Sequence, residues 1–513
     1  MNIKRMIHFL RSRPFIIAVL ILIQLIFLFY LVFKLSEYFV PMYFILISLS
    51  FVMSIYIINK NENPSYKVTW IVVIAILPVF GGLVYLLFGG HKVPKELRIR
   101  DNQSHEKIHI FFWQDAQIME ELKEEDSIIH KQANLLWKVA DYPIYRNTET
   151  TFFPLGEDKF KALVKELKKA KKFIFLEYFI IEEGIMWNTV LDILVEKVQQ
   201  GVDVRVMYDD AGCIETLGSH YAKKLKKLGI KTKVFNPLRP RLAMQMNNRD
   251  HRKILVIDGI VAMTGGINLA DEYINRKVRF GHWKDCGVMI KGEAVWSFTV
   301  MFLQFWNYDE KNKENFFDYK AKFSEIKHFK QDGLVQPFSD SPTDRENVGE
   351  YAHINMINGA NKYVYATTPY LIIDNEMKTA LTLAAKNGVD VRIIVPHIPD
   401  KKYAFALTQH TYKELIKAGV RIYEYTPGFI HSKCFVSDDK VAIVGTINMD
   451  YRSYYLHYEC GVLFYKSKVV DALKEDYIEI LAKSQEVTLE QCLNVPILKR
   501  IIRAILNLFA PMM

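Results

Sequence analysis

The sequence predicts an α/β protein held by N-terminal apolar helices, with a body of two similar halves, each a mixed sheet flanked by helices. Three observations carry this expectation. Hydrophobic runs crowd the first 90 residues, strand and helix patterns alternate from Lys172 onward, and the pentapeptide Gly-Val-Asp-Val-Arg occurs at 201–205 and again at 388–392.

The chain of 513 residues is 50% hydrophobic and its mean hydropathy is slightly positive, high for a wholly soluble protein. Its length exceeds one ordinary domain. The net charge of +10 calls for an anionic partner: phospholipid head groups, nucleic acid or a phosphorylated metabolite. Five cysteines (Cys213, Cys286, Cys434, Cys460 and Cys492) are scattered without a Cys-x-x-Cys pair. This argues against a disulfide scaffold and a zinc cluster, and fits reduced thiols in a cytoplasm-facing body.

The apolar runs are Phe15–Phe33, Phe39–Ile58 and Val68–Phe88. Each meets the roughly 20 residues needed to cross a hydrocarbon core. A signal peptide is excluded for the first because no small-residue cleavage site follows it and a second run comes at once. Lys4, Arg5, Arg11 and Arg13 precede the first run, and Lys92, Lys95, Arg98 and Arg100 follow the third. The positive-inside rule wants both flanks in the cytoplasm, which three full crossings cannot satisfy. The third run, interrupted by Pro78, Gly81 and Gly82, is therefore the candidate for a re-entrant or interfacial segment. The expectation is a multi-pass cell-membrane protein with its body on the cytoplasmic face.

After a polar helical stretch over Asp115–Lys138, Lys172–Ile181 reads as a buried strand, Val190–Gln200 as an amphipathic helix, and 201–210 as the next strand. The second half repeats the sequence of elements: strand at 362–372, helix at 377–388, strand at 389–396, then helix, strand and a closing motif. His431 minus His251 gives a repeat offset of 180 residues. Expected boundaries are an anchor at 1–92, a first half at 93–330, a second half at 331–490 and an amphipathic tail at 491–513.

The chemistry lies in what the repeat carries. His251-x-Lys253 followed by Asp258 recurs as His431-x-Lys433 followed by Asp438. Gly265-Gly266-x-Asn268 recurs as Gly445-Thr446-x-Asn448. On a strand, residues two apart share a face, so each His and Lys should point together, with the Asp at the following turn, where it would hold the loop. Small residues permit close backbone approach, and Asn offers hydrogen bonds to an oxyanion. One His-x-Lys-x4-Asp match should occur by chance in about one chain in thirty of this length. Two matches at equivalent places in a duplicated fold are not chance.

The paired motif resembles the phospholipase D superfamily, and together with the N-terminal runs the chain resembles the bacterial cardiolipin synthase family over essentially its whole length. The segments "FLEYFI" with Glu177, "YDDAG", "GGINLADEY", "HWKDCGVMIKG" with Asp285, "TPYLIIDNE" and "NMDYRS" also read like that family's signatures. The third hydrophobic run departs from the two spans expected there. The resemblance implies two pseudo-twofold-related α/β/α sandwich halves of phospholipase D type, acting on phosphatidylglycerol at an anionic membrane. It implies a phosphatidyltransferase joining two phosphatidylglycerol molecules into cardiolipin, with release of glycerol. By that analogy His251 is the nucleophile forming a phosphatidyl-histidine, and His431 the acid and base. Lys253, Lys433, Asn268 and Asn448 would stabilise phosphoryl oxygens, with Gly266 and Thr446 lining the substrate. Asp258 and Asp438 would organise the motifs, and Glu177 or Glu459 would orient a histidine. No metal or cofactor and no nucleic acid are expected, since the lysines supply the positive charge. The other readings are a membrane-bound hydrolase of the same superfamily, phospholipase or nuclease, and a scaffold with a dead site; the intact motifs disfavour the last.

Two features stay open at this level. Cys434 within the second motif reads as a small apolar filler. The tail "VPILKRIIRAILNLFAPMM" is either a helix packed on the body or an amphipathic helix at the membrane surface.

Overall fold

The structure is a computed structural model describing residues 13–38, 40–89, 108–238, 247–308, 314–344 and 346–512. Apart from Arg13, the basic flanks used to argue orientation lie outside the described residues.

Two long helices open the chain, Arg13–Tyr38 and Val40–Asn59. Val40–Asn59 is long and apolar enough to cross a membrane. Its Val40, Phe44, Phe51 and Val52 are more than half exposed, an arrangement suited to lipid tails and not to water. The third apolar run does not form one span. It breaks at 77–80 into Pro64–Ile76 and Gly81–Phe88, of 13 and 8 residues, each too short at about 1.5 Å per residue for a core about 30 Å thick. Pro78 cannot donate its amide to a continuing helix. The two pieces pack on Val40–Asn59, where the Gly82 amide donates to Ser50 Oγ at 2.9 Å.

The body holds two sheets with the same strand order. The first runs Thr148–Phe153, Gly287–Gly292, Val261–Gly265, Lys253–Ile257, Phe173–Tyr178, Asp203–Asp209, Lys231–Phe235. The second runs Leu334–Asp340, His457–Tyr465, Val441–Gly445, Cys434–Ser437, Tyr363–Thr367, Asp390–Pro396, Arg421–Tyr425, with Ser484–Glu486 added at the far edge. In each sheet the first five strands are antiparallel neighbours and the next two pairings are parallel. The expected mixed sheets are present, and the duplication extends to their topology.

The halves are joined through their middles. Every residue of the helix Val295–Trp306 is buried. An apolar surface all round suits a core helix, and here it shares one hydrophobic core with strands of both sheets. Two short strands pair across the divide: Arg249–Asp250 runs parallel to His457–Tyr458, and Gly428–Ile430 parallel to His282–Lys284. The histidines of the motifs follow directly after these crossing strands.

Candidate active site

Each motif histidine sits where the chain changes partners. The His251 amide donates to the Tyr458 carbonyl at 2.9 Å, and the His431 amide to the Lys284 carbonyl at 2.7 Å. Neither histidine lies on its own sheet: the motif strands begin only at Lys253 and Cys434. The expectation that His and Lys share a strand face is corrected by this pairing, because the last inter-half hydrogen bond is spent at the histidine itself. The lysine instead folds back, Lys253 Nζ donating to the His251 carbonyl and Lys433 Nζ to the His431 carbonyl.

The carboxylates on the imidazoles come from the opposite halves. His251 Nδ1 lies 2.9 and 3.0 Å from the two oxygens of Glu459, and His431 Nδ1 lies 2.7 Å from Asp285 Oδ2. A carboxylate only accepts, so each Nδ1 carries the proton and each Nε2 presents its lone pair. Glu459 is held in turn by Ser453 Oγ at 2.8 Å and by Thr446 Oγ1. In the first half the place of Thr446 belongs to Gly266, where an added Cβ would lie 2.1 Å from Asp285 Oδ1. Aromatic rings wall both sites: Phe179 and His457 lie 5.0 and 5.3 Å from the His251 ring, and Trp283 and Tyr273 lie 5.5 and 5.6 Å from that of His431.

Both aspartates of the motifs stand at hairpin turns. Asp258 and Gly259 have positive φ, as do Asp438 and Asp439, as a type I′ turn requires. The Asp258 carboxylate accepts the amides of Lys171, Lys172 and Phe173 at 2.7–2.9 Å. Asp438 accepts those of Asn361, Lys362 and Tyr363 over the same range. Each therefore starts the neighbouring central strand. Asn268 is similarly committed, accepting from the Ile180 amide at 3.0 Å and donating to Tyr273 Oη at 2.7 Å. Asn448 differs, with a buried Oδ1 that has no hydrogen-bond partner. Glu177 does not reach a histidine. It is buried against Arg252, whose Nη2 approaches Glu177 Oε1 at 2.6 Å without a well-aligned hydrogen bond, and burial raises its carboxyl well above the usual range despite that cation.

Electrostatics follow from burial and crowding of cations. Burial first, then the Lys253 and Lys433 ammonium groups, holds the His251 imidazole well below its ordinary range. Burial and Lys433 push His431 down to about 4, against the pull of Asp285. Burial also lowers Lys253 to about 7 and Lys433 to about 8. Burial alone would raise the Asp285 carboxyl, but His431 and Lys433 outweigh it and hold the group low. Without an anion the site thus resists positive charge; a phosphodiester would relieve four groups at once.

His457 also comes into the site. His251, His457 and Glu459 bring three potential ligand atoms within 4.8 Å of one another. Sequence spacing did not suggest this set. The Glu459 oxygens are already occupied by His251, Thr446 and Ser453, and a cation here would face the two lysines that already depress His251. The donor set therefore fits a metal poorly, and the chemistry below uses none.

Asp285, Ser453 and His457 were not among the residues singled out as a site. The signal for Asp285 was nevertheless present: Asp285-Cys286-Gly287-Val288 repeats as Glu459-Cys460-Gly461-Val462. The chain matches the family described as "Cardiolipin synthase, PLD-like domain" over residues 163–306 and 353–481, and "Phospholipase_D-nuclease N-terminal" over 48–90. The chain belongs to the cardiolipin synthase family of phospholipase D-like proteins. A protein of Alkalihalophilus pseudofirmus named cardiolipin synthase is 34% identical over 90% of this chain and 92% of its own length. An uncharacterized protein of Streptococcus mutans is 47% identical over 90% and 99%. Phosphatidylserine synthase of Haemophilus influenzae shares the fold, with a TM-score of 0.56 at 15% identity over 74% of this chain and 97% of its own. Membership in this family, together with the apolar N-terminal helices, makes the chain a membrane-associated, phospholipid-modifying phosphatidyltransferase.

Proposed function

We propose that this chain is a cardiolipin synthase that transfers a phosphatidyl group from one phosphatidylglycerol to the glycerol hydroxyl of a second. The observation that carries the reading is the crossed pairing, in which each imidazole is oriented through Nδ1 by a carboxylate of the other half. Neither motif histidine is oriented by a carboxylate of its own half, and two nitrogens of opposite task suit a two-step displacement at phosphorus.

In the first step neutral His251 Nε2 attacks phosphorus, the bond to the departing glycerol oxygen breaks, and His431 gives that oxygen a proton. The product is a phosphatidyl-histidine and free glycerol. In the second step His431 takes the proton from the acceptor hydroxyl, whose oxygen attacks phosphorus and breaks the nitrogen–phosphorus bond. Lys253 and Lys433 neutralise the phosphoryl oxygens as charge builds. The substrate anion itself raises the affinity of His431 for the proton it must donate. Glu459 stabilises the positive His251 ring in the adduct. Asn448, with its unsatisfied oxygen, is the better placed of the two asparagines to meet substrate, while Asp258, Asp438 and Asn268 act by holding backbone.

The division into an anchor to residue 92, halves at 93–330 and 331–490, and a tail from 491 fits this reading. So does a multi-pass anchor in which Arg13–Tyr38 and Val40–Asn59 cross the cell membrane and the broken third run re-enters it, with the body on the cytoplasmic face. Purified protein supplied with phosphatidylglycerol should yield cardiolipin and glycerol in equal amounts. Phosphatidic acid as the dominant lipid product would make it a hydrolase instead.

A further inference from the structure

The tail helix Ile497–Leu508 is docked the wrong way round for a helix whose purpose is to close a protein core. An amphipathic helix packed on a globular body buries its apolar stripe. Here Ile497, Leu498, Ile501, Ile502 and Ile505 share one arc of the helix at its 3.6-residue repeat, and all are 47–68% exposed. The side turned to the body holds Arg503, whose Nη2 donates to Gln409 Oε1, and Leu506, which packs beside Leu407 and Tyr451. No residue of the helix is fully buried.

The helix is also fixed to the membrane segment. Thr69 Oγ1, on the short apolar helix Pro64–Ile76, donates to the Leu508 carbonyl at 2.7 Å. Beyond it Met512 packs against the Trp70 and Tyr85 cluster of the same hairpin. The C-terminal end of the tail therefore abuts the short apolar helices of the anchor, which places the exposed isoleucine face beside the membrane segment. Lys499 and Arg500 are both exposed and flank the arc on its two sides at the 3.6-residue repeat, as cations that reach lipid phosphates from an interfacial helix do.

We propose that Ile497–Leu508 lies in the plane of the membrane surface, its isoleucine arc among the acyl chains and Lys499 and Arg500 at anionic head groups. It is a second attachment beside the spans, and it sets the tilt of the body. The helix rests on Lys402–Lys417 and on Tyr451, and Tyr451 opens the short helix whose Ser453 holds Glu459. A lipid surface seated on the tail thus bears on the element that orients His251. The inference rests on membrane attachment, not on the reaction assigned above, so the two can fail separately.

The test uses the full chain with Cys492→Ser, reconstituted into mixed phosphatidylcholine and phosphatidylserine vesicles; the other four cysteines are buried. A polarity-sensitive fluorophore is placed at Ile501→Cys, at Ile505→Cys and, for comparison, at Lys499→Cys. Probes at 501 and 505 should emit to the blue of the probe at 499. They should also be quenched several-fold more strongly by nitroxide on the acyl chain than by aqueous iodide. Iodide quenching at 501 and 505 equal to that at 499 would overturn the proposal. So would shielding from both quenchers, which would place protein on that face. Enzymatic turnover is not read, so failure here leaves the assigned reaction untouched.

Discussion

Asp285 lies in the first half of the chain, yet its carboxylate holds the histidine of the second, with Oδ2 2.7 Å from His431 Nδ1. The reciprocal contact joins Glu459 to His251. A duplicated fold has here divided the proposed catalytic apparatus so that neither copy holds both a motif histidine and its carboxylate, and the inter-half strand pairings that deliver each histidine also fix its partner.

Neutralising either partner should cost turnover without unfolding the body. Asp285→Asn and Glu459→Gln keep size and burial but remove the charge that selects the Nδ1–H form and steadies the imidazolium. Turnover should fall about 100-fold or more in each, in the range of general acid–base effects, with the melting temperature little changed. Steady-state rates with thermal melts in detergent decide this. Near-normal rates in either variant would mean that its carboxylate does not act through the imidazole.

The motif aspartates should behave in the opposite way. Asp258→Ala leaves three strand-initiating amides without their acceptor, a loss of about 2–4 kcal/mol given the charge-assisted bonds involved. Chemical denaturation should detect it, and protein that remains folded should keep much of its rate. A variant of full stability and no activity would make Asp258 a participant in the reaction.

Histidines, lysines and turn aspartates were legible because their motif is short and stated twice. Which carboxylate meets which imidazole was not, since that depends on contacts between residues 146 and 208 positions apart. Glu177 drew attention by its place in the signature segment "FLEYFI", but alternation along a strand buried on both faces cannot tell which side faces the site. It faces Arg252. The break in the third apolar run was readable from Pro78, because proline interrupts a helix by a local mechanism. The grip on the body by the cap and first turn of the helix Pro64–Ile76 was not. Asn63 Nδ2 donates to Asp374 at 2.9 Å and to Tyr455 Oη at 2.8 Å, and Tyr451 Oη donates to Ser65 Oγ at 3.0 Å.

That grip changes what removing the anchor should do. The spans add nothing to the two motifs, which suggests that they only deliver the body to lipid. Tyr66 is nevertheless buried at 2% exposure among Leu407, Tyr451 and Ala510. Tyr66→Ala should therefore destabilise the body by about 3 kcal/mol, as large aromatic truncations do, and lower activity on detergent-dispersed lipid as well as on bilayers. Loss confined to bilayers would restore a purely delivering anchor.

The pH profile should report the lysines. Lys253, lowered to about 7, and Lys433, lowered to about 8, must be protonated to neutralise phosphate, so kcat/KM should fall as pH rises through that interval. Bound phosphodiester favours the charged lysines, so the corresponding limb of kcat should lie at higher pH. Profiles of both parameters from pH 6 to 10 test this; coincident limbs, or activity still rising above pH 9, would contradict it.

The central claim is that His251 takes the phosphatidyl group while His431 moves the proton. A substrate whose leaving group needs no proton bypasses the acid in the first step but not the base in the second. The measurement is mass spectrometry of His431→Ala, quenched during incubation with such a substrate and mapped by peptide. The account predicts a phosphatidyl adduct accumulating on His251, and none in His251→Ala. An adduct on His431 of the unaltered protein would reverse the two roles, and the absence of adduct in every variant would contradict a covalent intermediate.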